Sequence, residues 1–201
     1  MFRAWKRPES LGDLPEGGII FASNHCSNAE GPMMAAYMDR PVRFLAKQEL
    51  YERFFSRFFF KGIGSIPVRR GRSDATALEN AVVALKKGHY IGIFPEGTRG
   101  DGRKLLEPHT GVIRLALLSG APIVPIGISG GHLAWPKGRL FPRYGVKVTA
   151  RFGRPWYVPG PPPGRDYTYD ELKELARELL FDRIAPLLDG HEGLVRDQSS
   201  P

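Results

Sequence analysis

The sequence predicts a single α/β domain, with a central, mostly parallel or mixed sheet flanked by helices. Three observations carry this expectation. Short apolar runs alternate with helical patterns along most of the chain. One of these runs, Tyr90-Ile91-Gly92-Ile93-Phe94, has no polar alternation, as a strand buried on both faces requires. The length, 201 residues, suits one domain with a sizeable core.

The first strand is read over residues 19–22, after Gly17-Gly18. It runs into Ser23-Asn24-His25-Cys26-Ser27-Asn28-Ala29-Glu30, and a helix-like stretch, 33–38, follows. A second strand covers 42–46. Residues 49–61 read as a helix with Glu49, Glu52, Arg53, Ser56 and Arg57 on its polar face. Its aromatic face is wider than one sheet contact needs, and suits both core packing and a membrane interface. Ile66-Pro67-Val68 is a short extended piece. Ser73 then caps a helix in which Leu78, Ala81, Val82 and Leu85 share one stripe, with Gly88 past its end. Strands over 90–94, 123–128 and 146–152 complete the sheet. Thr168-Tyr169-Asp170-Glu171 reads as a capping box before a helix carrying Leu172, Leu175, Ala176 and Leu179, reached through the stiff Pro-rich connector 158–164. The domain is expected over 1–190, with 191–201 as a flexible tail.

Composition narrows the partners. With 29 basic and 21 acidic residues the net charge is +8, which points to anions: phospholipid head groups, phosphorylated small molecules or nucleic acid. No recognised nucleic-acid motif is present, so no nucleic-acid partner is expected. One cysteine excludes an internal disulfide and leans towards a reducing compartment. No run reaches the roughly 18 apolar residues of a spanning helix, and the N-terminus lacks the apolar core of a signal peptide. Membrane contact is therefore expected to be peripheral, on the cytoplasmic side, at an anionic surface.

Three segments carry chemistry. His25 and Glu30 lie at the mouth of the first strand; an imidazole takes a proton from an attacking hydroxyl while a carboxylate on its other nitrogen fixes the tautomer. Taken alone, such residues are ordinary around a helix start, and their company further along gives them weight. The stretch 62–72 joins glycines to arginines whose planar forks match phosphate oxygens, and reads as an anion site in which Arg69 and Arg72 are expected to be solvated surface. The loop Phe94-Pro95-Glu96-Gly97-Thr98-Arg99 follows directly on a buried strand, at the end of an α/β sheet where ligands bind. Arg99 is read on a phosphate, and Glu96 on a hydroxyl or a neighbouring arginine. Adjacent residues of an extended chain point to opposite sides, which argues against a Cys26–His25 acyl-enzyme. Ser27 lacks the glycine-flanked elbow of a hydrolase nucleophile. His89, His109, His132 and His191 have no ligand-like spacing, so no metal is expected.

In order and spacing, His25 with an acid five residues on, Ile66-Pro67-Val68-Arg69-Arg70-Gly71, Phe94-Pro95-Glu96-Gly97-Thr98-Arg99 and Ala121-Pro122-Ile123-Val124-Pro125-Ile126 resemble the four blocks of the glycerolipid acyltransferases, the 1-acylglycerol-3-phosphate acyltransferase family. The resemblance runs from about residue 19 to 152. It implies a glycerol-3-phosphate-acyltransferase-like fold and transfer of a fatty acyl group from acyl-CoA or acyl carrier protein to a lysophospholipid hydroxyl, with no cofactor. His25 would be the general base and Glu30 its orienter. Arg70, Glu96, Gly97, Thr98 and Arg99 would hold the acceptor. Three departures stand out: Glu30 replaces the family's usual aspartate, Arg69 stands where an acid often precedes the arginine, and His109-Thr110-Gly111 replaces a common lysine. The alternatives are another lipid or glycolipid acceptor, or an inactive module binding anionic membranes.

Overall fold

The computed structural model describes residues 14–48, 64–68, 75–139, 141–190 and 195–196. The aromatic segment 49–61, the cluster 69–72 with Arg70, the Ser73 cap and most of the 191–201 tail lie outside the described residues.

Eight strands are described: β1 (Ile19–Ser23), β2 (Val42–Lys47), β3 (Ile66–Val68), β4 (Tyr90–Ile93), β5 (Lys104–Leu105), β6 (Ile123–Ser129), β7 (Thr149–Phe152) and β8 (Val195–Arg196). Six form a mixed sheet in the order β3-β2-β4-β1-β6-β7, in which only β7 runs antiparallel to its neighbour. This agrees with the fold class read from the sequence. β5 and β8 pair separately and in parallel, so two residues of the expected free tail are held against Lys104 and Leu105.

β1 is central because its residues are apolar on both faces. Ile19 and Phe21 join Met33, Met34, Tyr90, Val124, Ile126 and Phe152 on one side. Ile20 and Ala22 join Ala81, Leu85, Ile91, Ile113, Leu115 and Leu179 on the other. Alternation along the strand thus feeds two cores. All four side chains are 0% exposed, and burying one such Ile or Phe contributes roughly 1.5–3 kcal/mol.

The α-helices among the described residues are α1 (Glu30–Tyr37), α2 (Ala75–Lys86), α3 (Gly111–Ser119), α4 (Gly131–Ala134) and α5 (Tyr169–Arg177). α1 covers the Phe21 face through Met33 and Met34; α2, α3 and α5 cover the other. The capping box of α5 is formed: Glu171 N–H donates to Thr168 Oγ1 at 3.3 Å and Thr168 N–H to Glu171 Oε2 at 2.8 Å. α5 widens into a π-helical stretch, Glu178–Ile184, and then a 3-10 turn, Ala185–Leu187. Among the described helices none is long and apolar enough to cross a membrane.

β1 pairs with β4 on one side and β6 on the other, both in parallel, so the carboxyl ends of these three strands share one sheet edge. The site is built on that edge. Behind the strand, Gly18 leaves room for the end of α2: a Cβ there would stand 2.2 Å from the Leu85 carbonyl oxygen. Gly18→Ala is expected to destabilise the domain by about 1–3 kcal/mol through overpacking against backbone, measured as a lowered urea midpoint at unchanged slope; an unchanged midpoint would refute this packing.

Candidate active site

Beyond Ser23 the ladder is continued by a side chain. The Asn24 amide donates to Ile128 C=O at 3.0 Å and accepts Ile128 N–H at 2.9 Å, which holds the end of β1 against β6. The chain then turns, and His25 Nδ1 meets Glu30 Oε2 at 2.6 Å. Glu30, the first residue of α1, is 0% exposed. Its carboxylate also accepts Cys26 N–H at 3.0 and 3.1 Å and the Cys26 thiol at 3.0 Å. An ionised carboxylate only accepts, so beside it the proton of the His25 contact lies on Nδ1, and in the neutral ring the lone pair is on Nε2. Nε2 has no hydrogen-bond partner among the described residues, and the His25 side chain keeps 21% exposure. Phe94 stacks on the ring at 4.0 Å between centroids and 13° between planes, with Phe44 behind it.

Cys26 is drawn to the same carboxylate as His25, which the sequence did not reveal. Burial, and then the Glu30 charge, hold its thiol well above the usual cysteine range. It stays a hydrogen-bond donor to Glu30 and has no thiolate to offer as a nucleophile.

The loop after β4 is fastened to the His25 turn. Glu96 is 3% exposed; Oε1 accepts His25 N–H at 2.7 Å and Oε2 accepts Leu106 N–H at 2.9 Å. Burial pushes its pKa up to about 7 against these two backbone donors, with the Glu30 charge adding to the rise. Gly100 N–H donates to His25 C=O at 2.8 Å, so both backbone groups of His25 are held by this loop. Gly97 sits at φ +63, where a Cβ would be 2.7 Å from His109 Cδ2. The turn needs glycine for its left-handed backbone, and the His109 ring takes the space. Thr98 is exposed on the same turn. Arg99 Nη1 donates to Asn28 Oδ1, which puts its guanidinium beside the His25–Glu30 loop.

His25, Glu30, Glu96, Gly97, Thr98 and Arg99 thus gather at one sheet edge, whereas Arg70 lies outside the described residues. Glu96 departs from its sequence reading: it faces inward, with both oxygens on backbone N–H groups, and meets no arginine among the described residues. The sequence reading gave Asn24 and Asn28 no role, weighed Cys26 only as a nucleophile, and saw in His132 only the lack of ligand-like spacing. His132 lines, with Asn24, His25, Cys26 and Glu96, a cavity of about 60 Å³. Among the described residues no three His, Cys, Asp or Glu side chains group as metal ligands would.

Known proteins resemble this chain in sequence and in fold. A family profile described as Acyltransferase matches residues 7–129. The 1-acyl-sn-glycerol-3-phosphate acyltransferase of Bacillus subtilis is 31% identical over 133 residues, 64% of this chain and 66% of that protein. The lyso-ornithine lipid O-acyltransferase of Pseudomonas aeruginosa is 29% identical over 119 residues, 59% of this chain and 45% of that protein. The chain spans less than two thirds of the length of both relatives. The crystal structure of the 1-acyl-sn-glycerophosphate (LPA) acyltransferase PlsC from Thermotoga maritima shares the fold, with a TM-score of 0.64 at 24% identity over 85% of this chain and 66% of that one.

The elevated Glu96 pKa carries a signature in stability. Below the ordinary value of 4.5 both folded and unfolded chains hold the proton; above it the unfolded chain releases it first, until the folded group ionises near 7. This group's contribution therefore falls as pH rises through that window. Glu96→Gln removes the effect, so between pH 5 and pH 8 the variant should gain about 2–3 kcal/mol relative to the parent. Urea titrations at the two pH values measure it, and a pH-independent difference would contradict it.

Proposed function

The chain belongs to the acyltransferase family, and on that premise we propose that it moves a fatty acyl group from acyl-CoA or acyl carrier protein to a hydroxyl of a lysophospholipid, with 1-acylglycerol-3-phosphate as the acceptor. The observation that carries this reading is the His25–Glu30 contact of 2.6 Å, with Nε2 left unpartnered at a sheet edge among the described residues.

In this reading the acceptor hydroxyl donates to His25 Nε2. As its oxygen attacks the thioester carbonyl, the proton passes to the ring, and Glu30 stabilises the imidazolium through Nδ1–H. The tetrahedral intermediate collapses with loss of the carrier thiolate, which takes the proton from Nε2. The thioester is already activated, so positioning and one base suffice and no resident cofactor takes part. Glu96 acts through the His25 backbone, holding the base in place, and is a positioning residue. Arg99, together with Arg70, holds the acceptor phosphate, their guanidinium forks suiting it. Gly97 and Thr98 shape the turn that carries Arg99. The enzyme works peripherally at an anionic membrane on the cytoplasmic side, where its acceptor resides. The Pseudomonas relative's name supplies a second acceptor to test, a lyso-ornithine lipid.

Thiol release from acyl-CoA, with acyl carrier protein as the second donor, tests the reading when lysophosphatidic acid, lyso-ornithine lipid or no acceptor is supplied. Release that depends on lysophosphatidic acid and falls about 10²–10⁴-fold in His25→Ala is expected. Glu30→Asp draws the carboxylate back from Nδ1 and should lower turnover about 10²-fold, because misplacement by an ångström costs that much. Acceptor-independent release would identify a thioesterase, and full activity of His25→Ala would refute the assignment of the base.

A further inference from the structure

From Pro108 to Arg165 the sequence contains no Asp or Glu. In the middle of this stretch a loop leaves α4 and returns towards β7, and it exposes both charge and apolar surface. Phe141 is 71% exposed, Tyr144 89% and Leu133 51%. Lys137, Arg139 and Arg143 are exposed between them, and no carboxylate pairs with any of the three among the described residues.

The loop is built to hold this shape. Arg143 N–H donates to Ala134 C=O at 2.7 Å and closes its base. Inside it, Trp135 Nε1–H donates to Arg139 C=O at 2.9 Å, and Arg139 Nε–H to Phe141 C=O at 3.1 Å. Its base is joined to the His25 turn: the Trp135 carbonyl accepts Ser27 Oγ–H at 2.9 Å and Asn28 N–H at 3.3 Å. Trp135 thus spends its polar groups inside the protein, whereas Phe141 and Tyr144 are turned out to solvent.

We infer that the loop residues 133–139 and 141–147 form the surface by which this protein docks on an anionic phospholipid bilayer. Rings exposed next to unpaired cations are what an interfacial anchor presents: the rings enter the head-group boundary and the cations meet lipid phosphates. The absence of acidic residues removes the repulsion that would oppose such a surface. A docked loop, tied to Ser27 and Asn28, brings the His25 edge to lipid level. This deepens the proposed function and rests on it, since a lysophospholipid presents its hydroxyl at a bilayer surface.

The test is co-sedimentation of the purified chain with vesicles of phosphatidylcholine alone or with added phosphatidylglycerol, without substrate, so that binding is read independently of catalysis. Binding should require phosphatidylglycerol and weaken with salt. Reversing Lys137, Arg139 and Arg143 to Glu should abolish it, since removing one such cation alone costs roughly fivefold. Phe141→Ser with Tyr144→Ser should lower it more than tenfold, with melting transitions matching the parent. A second readout needs no destabilising change. Cys26 is buried at 6% exposure, so a polarity-sensitive dye on Phe141→Cys reports the loop, and its emission should shift to the blue on anionic vesicles. Loop variants that bind like the parent, or a dye that does not respond, would overturn the inference. So would variants that keep vesicle binding and lose only transfer from acyl carrier protein, which would make the loop a dock for an acidic protein. Loop-dependent binding without acyl transfer would leave the docking surface standing and remove the proposed function.

Discussion

A carboxylate taken out of water must be met by donors, and here that demand falls on Glu30. Its donors are His25 Nδ1, the Cys26 amide and the Cys26 thiol. Left unpaired, such a group would cost several kcal/mol. The turn after β1 is therefore folded around it: the chain reverses between residues 24 and 30, the imidazole is drawn in by one nitrogen, and the other is left for chemistry. Two further supports keep that geometry from relaxing. Asn24 ties the end of β1 to β6, and Glu96 with Gly100 holds the His25 backbone from the loop after β4. Contacts from all three parallel strands at the centre of the sheet, or from the loops at their ends, thus fix where one histidine stands.

The substitution of glutamate for the family's usual aspartate fits this arrangement. The extra methylene lets one oxygen reach Nδ1 at 2.6 Å while the other stays 3.0 Å from the Cys26 amide and sulfur. A cysteine next to a histidine invites a nucleophile reading, but burial and the neighbouring carboxylate keep this thiol protonated and turned towards Glu30. Cys26 belongs to the support of the base.

The central strands β1, β4 and β6 were legible because they are apolar on both faces and bounded by glycine or turn residues, as at Gly17-Gly18 before β1. The α5 cap was legible because a capping box is a local signal. α3 was not read: residues 112–118 are apolar except for Arg114, which gives no clear period to separate helix from strand, although the buried Val112, Ile113, Leu115 and Ala116 fall at helical spacing. The π-helical widening at Glu178–Ile184 has no local signature either. In the site, the His25–Glu30 pair could be read because its members are five residues apart. The inward turn of Glu96 could not, because its decisive partner, the His25 amide, lies 71 residues away in sequence. His132 was likewise invisible as a neighbour of Cys26, since α4 is far from the His25 turn in sequence and packs against it only in the fold.

The central claim is that Glu30 holds His25 with the proton on Nδ1 and the lone pair on Nε2. Nitrogen-15 NMR of the histidine side chains at pH 8, assigned through loss of the signal in His25→Ala, measures this directly. The account predicts a protonated, pyrrole-like Nδ1 coupled to a hydrogen-bonded proton and a bare, pyridine-like Nε2, with the preference lost in Glu30→Ala. A His25 ring protonated on Nε2, or one whose tautomer is unchanged when Glu30 is removed, would contradict it.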